Sequence, residues 1–273
     1  MFLIDPEFWR TRNLECGPTI GYGGEKSHRE INMQQIKENV YFIEGRDEMI
    51  PDSHCYLIGT PSEGDVTLVD AGLMGKGNYK LESIKESGFE LDQVKRIIMT
   101  HTHLDHIGCL GEILKSIPHA QLWVHTIEGE ALEQGDERAV YGMNMFESMC
   151  QAQYGIKPGE FRFQVGRKLE GGETLELGGS EWRVLHIPGH SAGSIALYDP
   201  GARILIPGDT VYADYAIGRF DLYGANGAQL RESLMALAEL DVDILLPGHN
   251  RIVGSLPEGY ILETAKQWQA YLS

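Results

Sequence analysis

The sequence predicts an α/β fold in which β-sheets are covered by helices, and three observations support this. Short apolar runs of strand length recur in both halves of the 273-residue chain, with turn residues between them. Segments with helical periodicity lie among these runs in both halves. Hydrophobic residues make up 42% of the chain and charged residues 23%, as in ordinary globular proteins. We therefore expect sheets packed against helices, with the chemistry carried by loops at the strand ends.

The first half contains five predicted strands and three predicted helices. The strands lie at 40–43, 55–58, 66–69, 96–99 and 121–124. The helices lie at about 78–88, 105–116 and 126–152. The second half repeats the arrangement, with strands at 174–177, 182–185, 194–198, 203–206 and 243–246 and helices at about 227–239 and 258–271. Most of these strands end at Gly, Pro or Asp, which favours sharp turns there.

We expect one domain over residues 1–273, because no linker or repeat divides the chain. Two parts stand apart: an N-terminal extension, 1–37, and a helical insertion at about 126–165. The insertion is rich in Met and aromatic residues, a pattern that favours core packing but also occurs on adaptable binding surfaces. For the extension, a lid over a site and a dimer contact both remain open.

Charge and cysteine usage restrict the partners and the compartment. The chain has 23 Lys and Arg against 40 Asp and Glu, a net charge of −17. Such a field repels nucleic acids and anionic membranes, and no basic cluster offsets it, so neither partner is expected. The four cysteines, Cys16, Cys55, Cys109 and Cys150, are widely spaced and are predicted to be free thiols. With no secretion signal recognised at the N-terminus, a cytoplasmic location is predicted.

The run from Thr100 to Gly108 carries the strongest chemical signal. It holds His101, His103, Asp105 and His106, four side chains of the types that bind divalent cations. A lone His is usually a hydrogen-bonded interior residue. With 10 His in 273 residues, three specified positions are all His in roughly 5 of 100,000 windows, so chance is a poor explanation. The strand before this run should project His101 and His103 on the same side, while Asp105 and His106 enter the following helix.

Three later segments share one form, in which a strand is followed by Pro-Gly and then by a potential ligand. The ligands are His190, Asp209 and His249. Glycine allows the backbone to turn sharply just before each of these side chains. The remaining histidines, His28, His54, His119, His125 and His186, are expected to have structural or surface roles.

The motif HxHxDH followed by separate His, Asp and His resembles the metallo-β-lactamase superfamily, over roughly residues 38–255. The resemblance implies a four-layer αββα sandwich with its site at one edge. It implies two divalent metal ions: one bound by His101, His103 and His190, and one by Asp105, His106 and His249. In this reading Asp209 bridges the two ions and a hydroxide held between them is the nucleophile. Zinc is favoured by the N and O ligands, with Fe or Mn as alternatives.

Further roles follow from the same resemblance. Asp70, at the end of the 66–69 strand, matches an acidic position that fixes a ligand imidazole by hydrogen bonding. Asp105 is also a candidate to orient the hydroxide or pass its proton to the leaving group. Tyr212, three positions after Asp209, resembles the tyrosine of acyl-homoserine lactonases and is a candidate donor to the developing oxyanion. Met145, Phe146, Tyr212 and Phe220 are candidate substrate-binding residues.

Branches of the superfamily are separated by a few residues. True β-lactamases use Cys at the position of Asp209, so β-lactam hydrolysis is disfavoured. The segment Gly218-Arg-Phe-Asp221 resembles glyoxalase II enzymes, but only 24 residues follow His249, and the helical domain that binds glutathione in those enzymes is expected to be absent.

The leading interpretation is a dinuclear metal-dependent hydrolase of a small-molecule ester, lactone or thioester. An alternative is a mononuclear iron enzyme like the persulfide dioxygenases, which retain HxHxDH. A third is a noncatalytic metal-binding module, although seven candidate ligands exceed the four that usually close a structural site. A homodimer is left open.

Overall fold

Two β-sheets packed face to face form the centre of the protein, and helices cover both outer faces. The computed structural model describes residues 33–47 and 50–272. The first sheet has seven strands in chain order: β1 Met33–Lys37, β2 Val40–Ile43, β3 Cys55–Ile58, β4 Val66–Val69, β5 Val94–Ile98, β6 Gln121–His125 and β7 Arg167–Leu169. Strands β1 to β4 pair antiparallel, and β4 to β7 pair parallel.

The second sheet has five strands in the order β12-β11-β10-β9-β8. They are β8 Thr174–Leu177, β9 Ser180–His186, β10 Ile195–Asp199, β11 Ile204–Ile206 and β12 Ile244–Leu245. Only the β11–β12 pair is parallel among these described strands. The helices are α1 Gly77–Glu86, α2 Leu104–Ile107, α3 Leu110–Ser116, α4 Thr126–Gln134, α5 Arg138–Tyr141, α6 Asn144–Tyr154, α7 Gly227–Leu237 and α8 Tyr260–Trp268.

Strand alternation divides the apolar side chains into three cores. In β2, Val40 and Phe42 face the second sheet, where they join Trp182 in the middle core. Tyr41 and Ile43, from the same strand, face the core beneath α1 to α6. The outer face of the second sheet packs against α7 and α8 in the third core. These layers are the predicted αββα sandwich, which is confirmed.

The element boundaries differ from the prediction in several places. Strands β1 and β7 were not predicted, because they are short and mostly exposed and so lack a clear apolar alternation. Residues 33–37 of the predicted N-terminal extension therefore belong to the first sheet, whereas residues 1–32 lie outside the described part. The predicted helix 126–152 is three helices, since Gly135 and Gly142 adopt left-handed conformations that end α4 and α5.

The predicted helix 105–116 is two short helices, α2 and α3, with the break at Gly108 and Cys109. A Cβ on Gly108 would lie 2.6 Å from the Met74 backbone N, so this close approach requires glycine. Cys55, Cys109 and Cys150 are buried free thiols, and Cys16 lies outside the described residues. Within the described ranges, every helix is too short or too polar to cross a lipid bilayer.

Candidate metal centre

The seven predicted ligands come from loops that follow strands of both sheets. His101 and His103 follow β5, and Asp105 and His106 lie in the single turn of α2. His190 lies between β9 and β10, Asp209 follows β11, and His249 follows β12. The structure brings all seven together in two adjacent groups, one of His101, His103 and His190 and one of Asp105, His106, Asp209 and His249.

The first group is fully buried and consists of three imidazoles. His103 Nδ1 lies 2.9 Å from His190 Nε2, and His190 Nε2 lies 3.1 Å from His101 Nε2. Their potential ligand atoms all lie within 4.8 Å of one another. This separation suits three nitrogens that surround one small cation.

The second group mixes two imidazoles and two carboxylates and is the more exposed of the two. His249 Nε2 lies 3.0 Å from Asp105 Oδ2, and His106 Nε2 lies 3.2 Å from Asp209 Oδ1. The side chains of His249 and Asp105 are 15% and 21% exposed, whereas His106 is completely buried. One face of this group is therefore open to small molecules.

Asp209 lies between the groups. Its Oδ2 is 3.5 Å from His249 Nε2 in the second group and 3.7 Å from His190 Nε2 in the first. A single carboxylate that reaches both groups could serve as a ligand shared by cations held in each of them.

The hydrogen bonds at the far sides of the rings test whether these residues fit a metal. His190 Nδ1 lies 2.7 Å from the Arg219 carbonyl, which can only accept, so His190 carries its proton there and Nε2 keeps a lone pair. His106 donates in the same way from Nδ1 to Asp70. His106 Nε2 and Asp209 Oδ1 are buried and make no hydrogen bond within the described structure. Two buried ligand atoms that face each other with no hydrogen-bond partner of their own fit a bound cation.

Burial and charge act in opposite directions on the pKa values of these histidines. Burial lowers the pKa of His101 well below its ordinary value and that of His103 to about 3, so both rings are neutral ligands at neutral pH. Burial alone would also lower the pKa of His106, but the carboxylates of Asp209 and Asp70 hold it well above its ordinary value. The second group therefore provides a negative field that favours a cation.

Asp70 holds the loop and a ligand at the same time. Its Oδ1 accepts from the Thr100 backbone N at 2.8 Å, and its Oδ2 accepts from Thr100 Oγ1 at 2.8 Å and His106 Nδ1 at 2.9 Å. The carboxylate is buried, and the backbone of Asp70 is left-handed, with φ of 60°. This contact with His106 is the one that the resemblance implies for Asp70.

Tyr212 is buried beside the second group. Its ring centroid lies 6.3 Å from that of His249. Burial, and then the nearby Asp209 carboxylate, raises the pKa of the Tyr212 phenol well above its ordinary value. The phenol therefore stays protonated and can donate a hydrogen bond at neutral pH.

The candidate substrate-binding residues lie in different environments. Met145, in α6, is 74% exposed. Phe146 is partly buried, and the Arg219 guanidinium lies 5.8 Å from the centre of its ring. Phe220 is partly buried and packs against the third core. A cavity of about 350 Å³ is lined by α5, the start of α6 and residues 221–223, and the four candidate residues are not among those that line it.

Two buried polar contacts beside the site were not predicted from the sequence. Glu128 in α4 is buried, and its Oε1 accepts from the Gly193 backbone N and the Ser191 hydroxyl, next to His190. Lys80 in α1 and Asp52 are completely buried and form an ion pair of 3.1 Å. Glu128 lies 63 and 65 residues before Ser191 and Gly193, and Lys80 lies 28 residues after Asp52. These separations are too long for a spacing motif in the sequence to indicate the contacts.

Comparison with known proteins identifies the family. Residues 51–249 match the family model Lactamase_B, the metallo-beta-lactamase superfamily. The chain is 34% identical over 165 residues to the acyl-coenzyme A thioesterase MBLAC2 of Bos taurus, and this match covers 55% of the chain and 56% of that relative. The chain therefore spans little more than half the length of that thioesterase.

Two further similarities concern a second relative and a solved structure. The chain is 29% identical over 213 residues to a hydroxyacylglutathione hydrolase of Aeromonas salmonicida, covering 78% of the chain and 66% of that protein. It resembles the crystal structure of TTHA1623 in a di-iron-bound form, with a TM-score of 0.56 and 26% identity over 74% of this chain and 89% of that one. With two sheets, flanking helices and His/Asp groups able to bind metal, the chain belongs to the metallo-beta-lactamase superfamily of hydrolases.

Proposed function

We propose that the protein is a dinuclear metal-dependent hydrolase that cleaves the thioester of a small acyl compound, with esters and lactones as neighbouring substrate classes. The observation that carries this proposal is the position of Asp209, which reaches both ligand groups. A structural metal site would not need two groups that share a carboxylate, one of them partly exposed.

The preference for a thioester rests on the relatives. The names of the thioesterase MBLAC2 and of hydroxyacylglutathione hydrolase both describe removal of an acyl group from a thiol carrier. The net charge of −17 favours small-molecule substrates over nucleic acids or anionic membranes. A cytoplasmic location and a possible homodimer remain predictions.

Within the proposed mechanism, the protein's own residues bind, orient and move protons. When bound, two divalent ions would act as Lewis acids and make water a nucleophile near neutral pH, with zinc favoured and iron or manganese possible at these ligands. His249 counters the burial of Asp105 and holds the pKa of Asp105 below its ordinary value, so its carboxylate is ionised and can accept a proton. Tyr212 donates a hydrogen bond to the carbonyl oxygen as negative charge develops there.

The test combines metal analysis with a substrate panel. The full chain, loaded with zinc, manganese or iron in separate preparations, is assayed on acyl thioesters, aryl esters and lactones before and after a chelator. We expect two ions per chain, turnover that is highest on a thioester, and loss of turnover on chelation. Undiminished hydrolysis after removal of the metal would refute the proposal.

The same preparations test the iron-dependent alternative. One iron per chain, together with oxygen uptake on a persulfide and no hydrolysis of any acyl compound, would replace the hydrolase with a sulfur oxygenase. Two ions per chain with hydrolysis in the absence of oxygen would support the hydrolase.

A further inference from the structure

His54 contacts the loop that carries His249 on both sides of that ligand. Its backbone N donates to the Gly248 carbonyl at 2.8 Å, and its ring Nε2 donates to the Asn250 carbonyl. These two carbonyls belong to the residues immediately before and after His249. Asn250 has a left-handed backbone, with φ of 65°, a conformation that costs free energy unless neighbouring groups hold it.

The His54 ring is itself fixed. The Gly45 backbone N donates to His54 Nδ1 at 2.9 Å, so the proton of the ring lies on Nε2, the atom that faces Asn250. The ring also packs edge-on against Phe42, with 4.9 Å between centroids. His54 is thus buried, in one tautomer, with both ring nitrogens in use.

The neighbours of His54 connect the same segment to α2, the helical turn that carries Asp105. The Ser53 backbone N donates to the Asp105 carbonyl at 3.1 Å. Lys80 Nζ donates to the Ser53 carbonyl at 2.9 Å and pairs with Asp52, whose Oδ1 also accepts from the Leu73 backbone N at 2.8 Å. Residues 52–54 are therefore anchored in the first core and reach two ligand-bearing segments, α2 and the His249 loop.

Both of these segments carry ligands of the second group. Among the described residues, the hydrogen bonds of 52–54 reach the carbonyl of Asp105 and the two carbonyls beside His249, and none reaches His101, His103 or His190. The first group is buried, but His249 and Asp105 are partly exposed. Their positions depend more on hydrogen bonds to the backbone that carries them.

From this geometry we infer that His54 is a positioning residue for the second metal ion, acting through the His249 loop, and that its loss weakens that ion selectively. The inference rests on the proposed two-metal centre. It assigns a role to a histidine that matches no ligand position of the motif. Contacts that orient a metal ligand typically change metal affinity by roughly 10- to 100-fold.

The experiment is a Zn²⁺ titration of metal-stripped full-length protein against a chromophoric chelator, with metal counting of the loaded protein. We expect wild type to bind two ions. His54→Leu should bind the first ion with unchanged affinity and the second ion with an affinity roughly 10- to 100-fold lower than that of wild type. His125→Leu is the matched control, since His125 is a buried histidine stacked on His186, outside both ligand groups, and should bind both ions as wild type does.

Two conservative variants distinguish the role of His54 Nε2 from that of Nδ1. His54→Gln can still donate towards Asn250 and should retain more second-ion affinity than His54→Asn, which keeps only the acceptor near Gly45. This comparison also carries the test if circular dichroism shows that His54→Leu does not fold. Equal affinities in the Gln and Asn variants would overturn the inference.

The remaining outcomes distinguish the inference from the proposed function. If wild type binds two ions and His54→Leu binds both as tightly, or loses both equally, the positioning role is wrong while the metal centre stands. If wild type does not bind two ions, the proposed function itself fails.

Discussion

Replacing Asp70 with Asn should change which nitrogen of His106 carries the proton. The two side chains have nearly the same shape, and Asn also tolerates the left-handed backbone found at this position. The carboxylate accepts three hydrogen bonds, from the Thr100 N, the Thr100 hydroxyl and His106 Nδ1. An amide oxygen can still accept from the Thr100 N, but the NH₂ group then faces His106.

That change affects the ligand atom directly. Two donors cannot face each other, so His106 Nδ1 must become an acceptor and the proton moves to Nε2. Nε2 lies 3.2 Å from Asp209 Oδ1 and would then donate to it instead of offering a lone pair to a cation. We expect second-ion affinity to fall roughly 10- to 100-fold, about 1.4 to 2.7 kcal/mol, with the first ion unaffected.

The assay is again a chelator-competition titration with Zn²⁺, combined with ¹⁵N NMR of the histidine rings, which distinguishes the tautomers. Asp65→Asn is a matched control, because Asp65 precedes the same strand but is exposed and pairs with Arg96. Wild-type affinity for the second ion in Asp70→Asn, or a His106 ring still protonated at Nδ1, would refute this reasoning.

Two further predictions concern close packing and the phenol. A Cβ on Gly248 would lie 2.2 Å from Asp209 Oδ1, so Gly248→Ala should displace the carboxylate and abolish binding of two ions. Gly254→Ala is the control, because the space around Gly254 is open, and it should leave the number of bound ions unchanged. Tyr212→Phe should lower kcat about 100-fold with little change in KM if the phenol stabilises the oxyanion. Burial and Asp209 raise the Tyr212 pKa above its ordinary value of 10.0, so the phenol stays protonated up to pH 10. Deprotonation of Tyr212 should therefore cause no loss of wild-type kcat below pH 10. An inflection below pH 10 that Tyr212→Phe abolishes would contradict this expectation.

The parts of the site that could be predicted are those encoded in local spacing. His101, His103, Asp105 and His106 lie within six positions, and a strand followed by one helical turn is enough to place them together. Sheets covered by helices were predictable from the recurring apolar runs and helical periodicity, whereas the four-layer αββα arrangement was implied by the resemblance. The apolar run of β2 does not show which of its side chains face which core, because all four are buried.

One supporting contact, that of Asp70 with a ligand imidazole, was implied by the resemblance. The others were not predictable, because their partners are distant in sequence. His54 reaches a carbonyl 196 residues away, and nothing around it in the sequence indicates that contact. For Lys80, the sequence did contain a weak indication of a buried charged contact. It lies on the same helix face as Leu81 and Ile84, both buried, so its position in α1 points into the core, where a lysine requires a charged partner. The identity of that partner, Asp52, needed the fold.

The Gly218-Arg-Phe-Asp221 segment shows why a short motif is weak evidence for a substrate. A Cβ on Gly218 would lie 1.8 Å from the Asp209 carbonyl and 2.9 Å from His190 Nδ1, so glycine is required by the ligands themselves. The next residue, Arg219, accepts from His190 Nδ1 through its backbone carbonyl. The first two residues of the motif therefore act on the metal ligands through the backbone. A dinuclear member with this arrangement needs the glycine and the backbone carbonyl after it, which any residue provides, whatever acyl compound it cleaves. Substrate preference must therefore be sought in the residues that line the open face of the second group.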